Sequence, residues 1–194
     1  MSTRIPATAP AADGATLPAG AWDIDPHHSH VEFVTRHLLS RVRGRFTDFD
    51  GAVVVDPDPA RSSVEVSIRA ASISTHHDDR DAHLRGPDFL DVDRYPELTS
   101  RSTAVSPLDP DGRFRVEGDL TIRDVTRRMV LDTDFLGWSA DPWGGTRAAF
   151  SARAEIDRDD FGAGWDIILD TGGLLVGKKV QLELEVEAIR RVPS

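Results

Sequence analysis

Apolar and polar residues alternate with a period of two along most of this chain. In the last segment Val180, Leu182, Leu184, Val186 and Ala188 are separated by Gln181, Glu183, Glu185 and Glu187, which puts apolar groups on one face of a strand and acids on the other. The same alternation runs through Val64/Val66/Ile68, through Phe114/Val116/Gly118/Leu120/Ile122 and through Ala148/Phe150/Ala152/Ala154/Ile156. Less regular strands are expected near Trp22–Asp25, Val31–Arg36, Gly51–Asp56, Leu98–Val105 and Met129–Trp138. Between them, Asp56-Pro57-Asp58-Pro59, Asp109-Pro110-Asp111-Gly112 and Asp141-Pro142-Trp143-Gly144-Gly145 carry turn chemistry, so hairpins are the expected connections.

One stretch departs from the period. Thr75 as N-cap with Asp78 three residues on, Asp79 in the first turn, His83 and Arg85 near the end and Gly86-Pro87 as the stop together predict a single short helix. About nine strands with one helical insertion describe an all-β fold, either sandwich or barrel. Small residues on the apolar faces favour a barrel: Ala148, Ala152 and Ala154 flank Phe150, and Gly118 lies between Val116 and Leu120. An antiparallel barrel of about eight strands is filled by its own side chains or holds one slender ligand. The alternation by itself leaves both outcomes open.

Composition narrows the partners. The formal charge of −10 opposes attraction to phosphate backbones and anionic surfaces, so nucleic acid is not expected. No apolar run is long enough to span a bilayer as a helix, so the chain is not expected to be membrane-embedded. With no cysteine, a disulfide framework, a thiolate zinc site and a cysteine nucleophile are all excluded. Residues 1–20 are Pro/Ala-rich and lack a continuous apolar core, and they read as a disordered tail ahead of one domain over 21–194, in the cytoplasm.

Seven histidines raise the alternative of a metal-dependent enzyme or metal carrier, with His27, His28 and His30 in one group and His76, His77 and His83 in another. Neither group has the spacing of an established ligand motif, so no metal, cofactor or catalytic residue is assigned. Capping explains the helix group, and a buried polar pair explains His28-Ser29. Arg80 and Asp81 read either as phosphate contacts on a lid helix or as ties from helix to rim. A glycine-rich phosphate loop and a G-x-S-x-G elbow are both missing from the sequence. A protein-interaction module is a further alternative.

A series of blocks carries a family resemblance. Trp22-Asp23-Ile24-Asp25-Pro26, His37-Leu38, Val42-Arg43-Gly44-Arg45-Phe46, Arg80-Asp81-Ala82-His83-Leu84, Asp88-Phe89-Leu90-Asp91-Val92 with Tyr95-Pro96, Gly118-Asp119-Leu120-Thr121-Ile122-Arg123, and Asp160-Phe161-Gly162 with Thr171-Gly172-Gly173 occur in this order. Together they resemble the YceI-like family across residues 21 to 190. The resemblance implies an extended, lipocalin-like antiparallel barrel, usually a homodimer. Its interior tunnel would hold a polyisoprenoid or similar amphiphilic lipid, and no catalytic centre is implied. Phe33, Val66, Ile68, Leu120, Phe150 and Trp165 are the candidate lining residues, because ligand slots for long apolar chains are walled by aromatic and aliphatic groups. Three departures from the family pattern stand out: Asp124 at a turn usually held by Gly, Asp166 in place of Asn, and Lys178-Lys179 in place of an acidic pair. If the last lies at a cavity mouth, it would attract an anionic head group.

Overall fold

A computed structural model describes residues 17–142, 144–164 and 176–192. Its strands are β1 (Gly20–Ile24), β2 (His30–His37), β3 (Ser40–Phe46), β4 (Phe49–Val55), β5 (Ser63–Arg69), β6 (Ile73–Ser74), β7 (Glu97–Val105), β8 (Arg113–Ile122), β9 (Val125–Ala140), β10 (Thr146–Asp157) and β11 (Val176–Arg190). One helix, α1 (Asp78–Arg85), interrupts them.

All pairings are antiparallel, and β1, β4, β5, β7, β8, β9, β10 and β11 form a closed ring of eight because β1 also pairs with β11. Closure leaves this ring itself without exposed edges, and β6 ends the branch that runs from β11 through β2 and β3. The long β11 carries two partners on one side. Ala188–Arg190 pair with β1, whereas Val176–Glu185 pair with β2. β1 and β2 are thus one broken barrel strand, as are β3 with β4 and β5 with β6, and the three breaks fall side by side.

Local chemistry accounts for the first break. Pro26 has no N–H to give a ladder, and Asp25 Oδ1 accepts the His27 N–H at 2.9 Å, turning the chain out. Buried Ser29 then restores the ladder with its side chain, accepting the Glu187 N–H at 3.0 Å and donating to the Glu187 carbonyl at 3.2 Å. His28 is exposed, so the expected buried pair reduces to Ser29 alone.

The helix lies where its signals placed it, but its N-cap is His77, whose ring nitrogen accepts the Arg80 N–H; Thr75 is not the cap. Thr75 instead gives its N–H and hydroxyl to the buried carboxylate of Asp81, while Arg80 donates to the Thr75 hydroxyl at 2.7 Å and carbonyl at 2.9 Å. The Arg80-Asp81 pair therefore secures the entry to the helix. Arg85 ties its far end to the barrel through the carbonyls of Ala71 and Ile73, both at 2.8 Å. No helix among the described residues is long and apolar enough to cross a membrane.

The interior faces follow the alternation, and they pack into two clusters. At the helix end, Leu98, Leu120, Ile122, Met129 and Phe161 are buried together. Near the opposite end, Trp22 packs on Ala148 and Ala188, with Phe135, Trp138 and Phe150 around them.

Candidate ligand cavity

A cavity of about 670 Å³ extends along the barrel from Leu84, Phe89 and Phe161 at the helix end to Val53, Leu108 and Phe114 at the other. This volume lies within the roughly 300–1,000 Å³ typical of small-molecule sites. Each strand contributes by its period-two face: Phe114, Val116, Gly118, Leu120 and Ile122 of β8 all line the space, as do Val180, Leu182, Leu184 and Val186 of β11.

Of the sequence-derived candidates, Phe33, Val66, Ile68, Leu120 and Phe150 line this one cavity. Trp165 lies outside the described residues, as do Asp166 and the Thr171-Gly172-Gly173 block. Many wall residues were not on that list, among them Phe46, Phe49, Met129, Leu131 and Leu184. Period-two reading of β8 and β11 would have found Leu184, but the wall formed by Phe46 comes from β3, which has no obvious apolar alternation.

Aromatic packing shapes the wall. Phe33 lies over Gly44, its direct cross-strand partner, where an added Cβ would sit only 2.3 Å from the ring. The same ring meets Phe46 with centroids 5.9 Å apart. Across the barrel, Phe150 contacts Phe135 at 5.5 Å and Phe114 at 6.2 Å. Gly118 is small for a different reason, because a Cβ there would approach the Arg101 carbonyl oxygen to 2.5 Å, beside the bulge that β7 makes at Ser102–Ala104.

The polar groups of the wall are largely engaged by the protein itself. Ser102 accepts the Val64 N–H at 2.8 Å, and Thr35 donates to the carbonyls of Gly177 and Lys179. Among the described residues, three charged ones contribute to the lining: Glu32, Asp56 and Arg158. Glu32 pairs with Arg43 outside the barrel, Asp56 is held by Arg61, and the buried Arg158 donates to the carbonyls of Ala163, Val176 and Gly177. Such a site removes apolar surface from water and places few polar groups, and no described lining residue is a histidine.

The histidines lie elsewhere. Among the described residues, one group brings three possible ligand atoms together: Asp25, His28 and Glu187. Arg147 is seated in it, donating to both Asp25 and Glu187 and, through Nε, to Asp141 at 3.1 Å. Burial pushes the Asp25 carboxyl up, yet hydrogen bonds from Arg147, His28 and the His27 N–H outweigh it and hold it at about 2. The guanidinium is already the cation of this cluster. His83 faces Asp88 at 3.0 Å, and His77 caps the helix.

The remaining departures are also placed. The left-handed residue of the β8–β9 turn is Arg123, with φ of 59°, and Asp124 follows it. Arg123 is anchored by the Gly162 carbonyl at 2.8 Å and stacks its guanidinium on Tyr95. Lys178 pairs with Asp159, and Lys179 lies near Asp157 at 3.5 Å; neither lines the cavity.

Comparison with known proteins agrees with this architecture. The model of the YceI-like domain matches residues 22–188. The chain is 35 % identical over 189 residues to a UPF0312 protein of Vibrio cholerae, covering 96 % of this chain and 92 % of that one. It is 37 % identical over 171 residues to Protein YceI of Escherichia coli, covering 87 % and 85 %. Among solved structures, a Campylobacter jejuni YCEI protein superposes with a TM-score of 0.67 at 30 % identity, covering 81 % of this chain and 90 % of that one. Burkholderia cenocepacia BcnA gives 0.74 at 24 %, covering 84 % and 98 %. A polyisoprenoid binding domain from Saccharophagus degradans gives 0.66 at 14 %, covering 90 % and 100 %; the last two likenesses show the fold.

Proposed function

The chain belongs to the YceI-like family, and on that premise we propose that it sequesters or carries a long-chain apolar ligand, a polyisoprenoid or another amphiphilic lipid, inside the barrel. The observation that carries this reading is the continuous apolar cavity of about 670 Å³ running along the barrel axis. Apolar ligand surface moved into it gains roughly 25 cal/mol for each Å² removed from water, before association costs. A long chain thus binds by length and shape with few polar contacts. The polyisoprenoid binding domain of like fold lends support to this ligand class.

The role is binding without catalysis. Among the described residues, a wall of aliphatic and aromatic groups with its few charges paired to the protein supplies neither a nucleophile beside a base nor a preformed oxyanion site. A homodimer in the cytoplasm is the assembly and compartment we propose, to be checked by light scattering and fractionation. Organic extraction of purified protein followed by mass spectrometry tests the ligand: a long-chain amphiphile in the extract is expected. Consistently empty extracts, with no uptake of added prenyl or acyl chains, refute the proposal.

A further inference from the structure

The β2–β3 hairpin ends in two leucines in water. Leu39 is 95 % exposed and Leu38 43 %, at the tip of a ribbon that extends the barrel at its helix end. Residues 33–47 hold four arginines, Arg36, Arg41, Arg43 and Arg45, and no acid, in a chain whose net charge is −10. Arg43 is paired with Glu32 and Glu183. Arg36 and Arg41 stand directly opposite each other in the register, both exposed, with no carboxylate in salt-bridge range among the described residues.

Two local choices here work against the stability of the hairpin. Like charges directly opposite on paired strands repel. The two-residue loop also places Leu38 at φ of 55°, a conformation that favours Gly or Asn. The β8–β9 hairpin shares this geometry, with Arg123 as its left-handed residue, but there the side chain is anchored to Gly162 and Tyr95. At the β2–β3 tip the side chains point at solvent, and among the described residues Arg36 Nε meets only the Leu38 carbonyl, at 2.9 Å. Local rules broken without an internal gain are expected at functional sites.

We propose that this tip docks on an anionic lipid bilayer, with Leu38 and Leu39 entering the interface and Arg36 and Arg41 meeting phosphate head groups. The spacing suits it. Arg36 stands two positions from Leu38 and Arg41 two from Leu39, which at about 3.4 Å per residue sets the charges roughly 7 Å behind the apolar tip, within the roughly 5–10 Å depth of interfacial insertion. The acidic body repels such a surface at long range, but screening over about 8 Å leaves the tip to decide contact. Thr35 and Phe33, the next inward-facing residues of the same ribbon, line the cavity, so docking would bring the helix end of the lipid compartment to the membrane.

Co-sedimentation of the full-length protein with vesicles tests this. Binding is expected to phosphatidylcholine vesicles containing phosphatidylglycerol, weakening with salt, and not to phosphatidylcholine alone. Arg36→Gln and Arg41→Gln should each lower partition roughly fivefold, and about 25-fold together. Leu39→Ser should lower it about tenfold while leaving the melting temperature in place. Absent binding, or binding indifferent to all three variants, overturns the proposal, and so does a Leu39→Ser protein that changes oligomeric state without changing partition. Because the assay reads the tip and not the cargo, an empty barrel that still partitions would contradict the carrier reading alone.

Discussion

Two stretches of the same barrel interior combine small residues with large ones, and they end in opposite states. Ala148 and Ala188 are direct cross-strand partners, so their short side chains leave one slot, and Trp22 from the neighbouring β1 fills it, 1 % exposed. Further along the same β10, Ala152 pairs with Leu184, and both look onto open cavity. An alternating face with alanines therefore announces space but not its occupant. What decides is whether a third strand supplies a large side chain at that level, which depends on the register around the ring.

The filled end should be sensitive to loss of volume. Trp22→Ala empties the slot between Ala148 and Ala188, and a cost of about 3–5 kcal/mol is expected in urea unfolding. A value near 1 kcal/mol would mean that the two regions are packed alike.

The wall around the filled end is braced by Arg147, which joins Asp25, Asp141 and Glu187. Removing that charge by Arg147→Met leaves the buried Asp25 without its strongest partner, and about 3 kcal/mol should be lost. Acid reaches the same brace. The Asp25 carboxyl is held at about 2 against an ordinary 3.8, so its contribution is present above pH 3.8 and is lost as pH falls towards 2. That contribution is about 2 kcal/mol. Stability measured across this interval in wild type and in Asp25→Asn should converge at the acid end.

The alanines themselves sharpen the contrast. Ala148→Leu forces a side chain against Trp22 and should cost about 1–3 kcal/mol, whereas Ala152→Leu enters free space and should cost less than about 1 kcal/mol. The smallest stability effect is expected at Gly44. Gly44→Ala drives the Phe33 ring off its partner, but the cavity beside it can accept the ring, so the change should appear as weaker binding of an acyl probe.

Much of this was legible in the residues. Period-two runs located β5, β8, β10 and β11, and the Asp-Pro clusters located the β4–β5, β7–β8 and β9–β10 connections. The strand Ser40–Phe46 was not, because Arg41, Arg43 and Arg45 bracket Val42 and Gly44, and the interior face at Gly44 is covered by Phe33 from the next strand. The helix was placed but its cap was not, since the Thr75-x-x-Asp78 pattern competes with His77, and Thr75 is occupied by Asp81. Alternation also identified inward-facing candidates such as Phe33 and Leu120, but the volume between them arises from strands far apart in sequence. Gly118 shows the limit, as it looks like a space-maker and is small because the β7 bulge presses on it.

The proposed role requires the middle of the barrel to be a lipid compartment and not a packed core. Native mass spectrometry of the purified protein, before and after organic extraction, tests it most directly when run beside an Ala152→Trp variant that fills the middle. A lipid-sized mass increment is expected on the wild type, removed by extraction, restored by an added prenyl or acyl chain, and absent from the folded variant. No increment under any of these conditions, or one of equal size on Ala152→Trp, would contradict it.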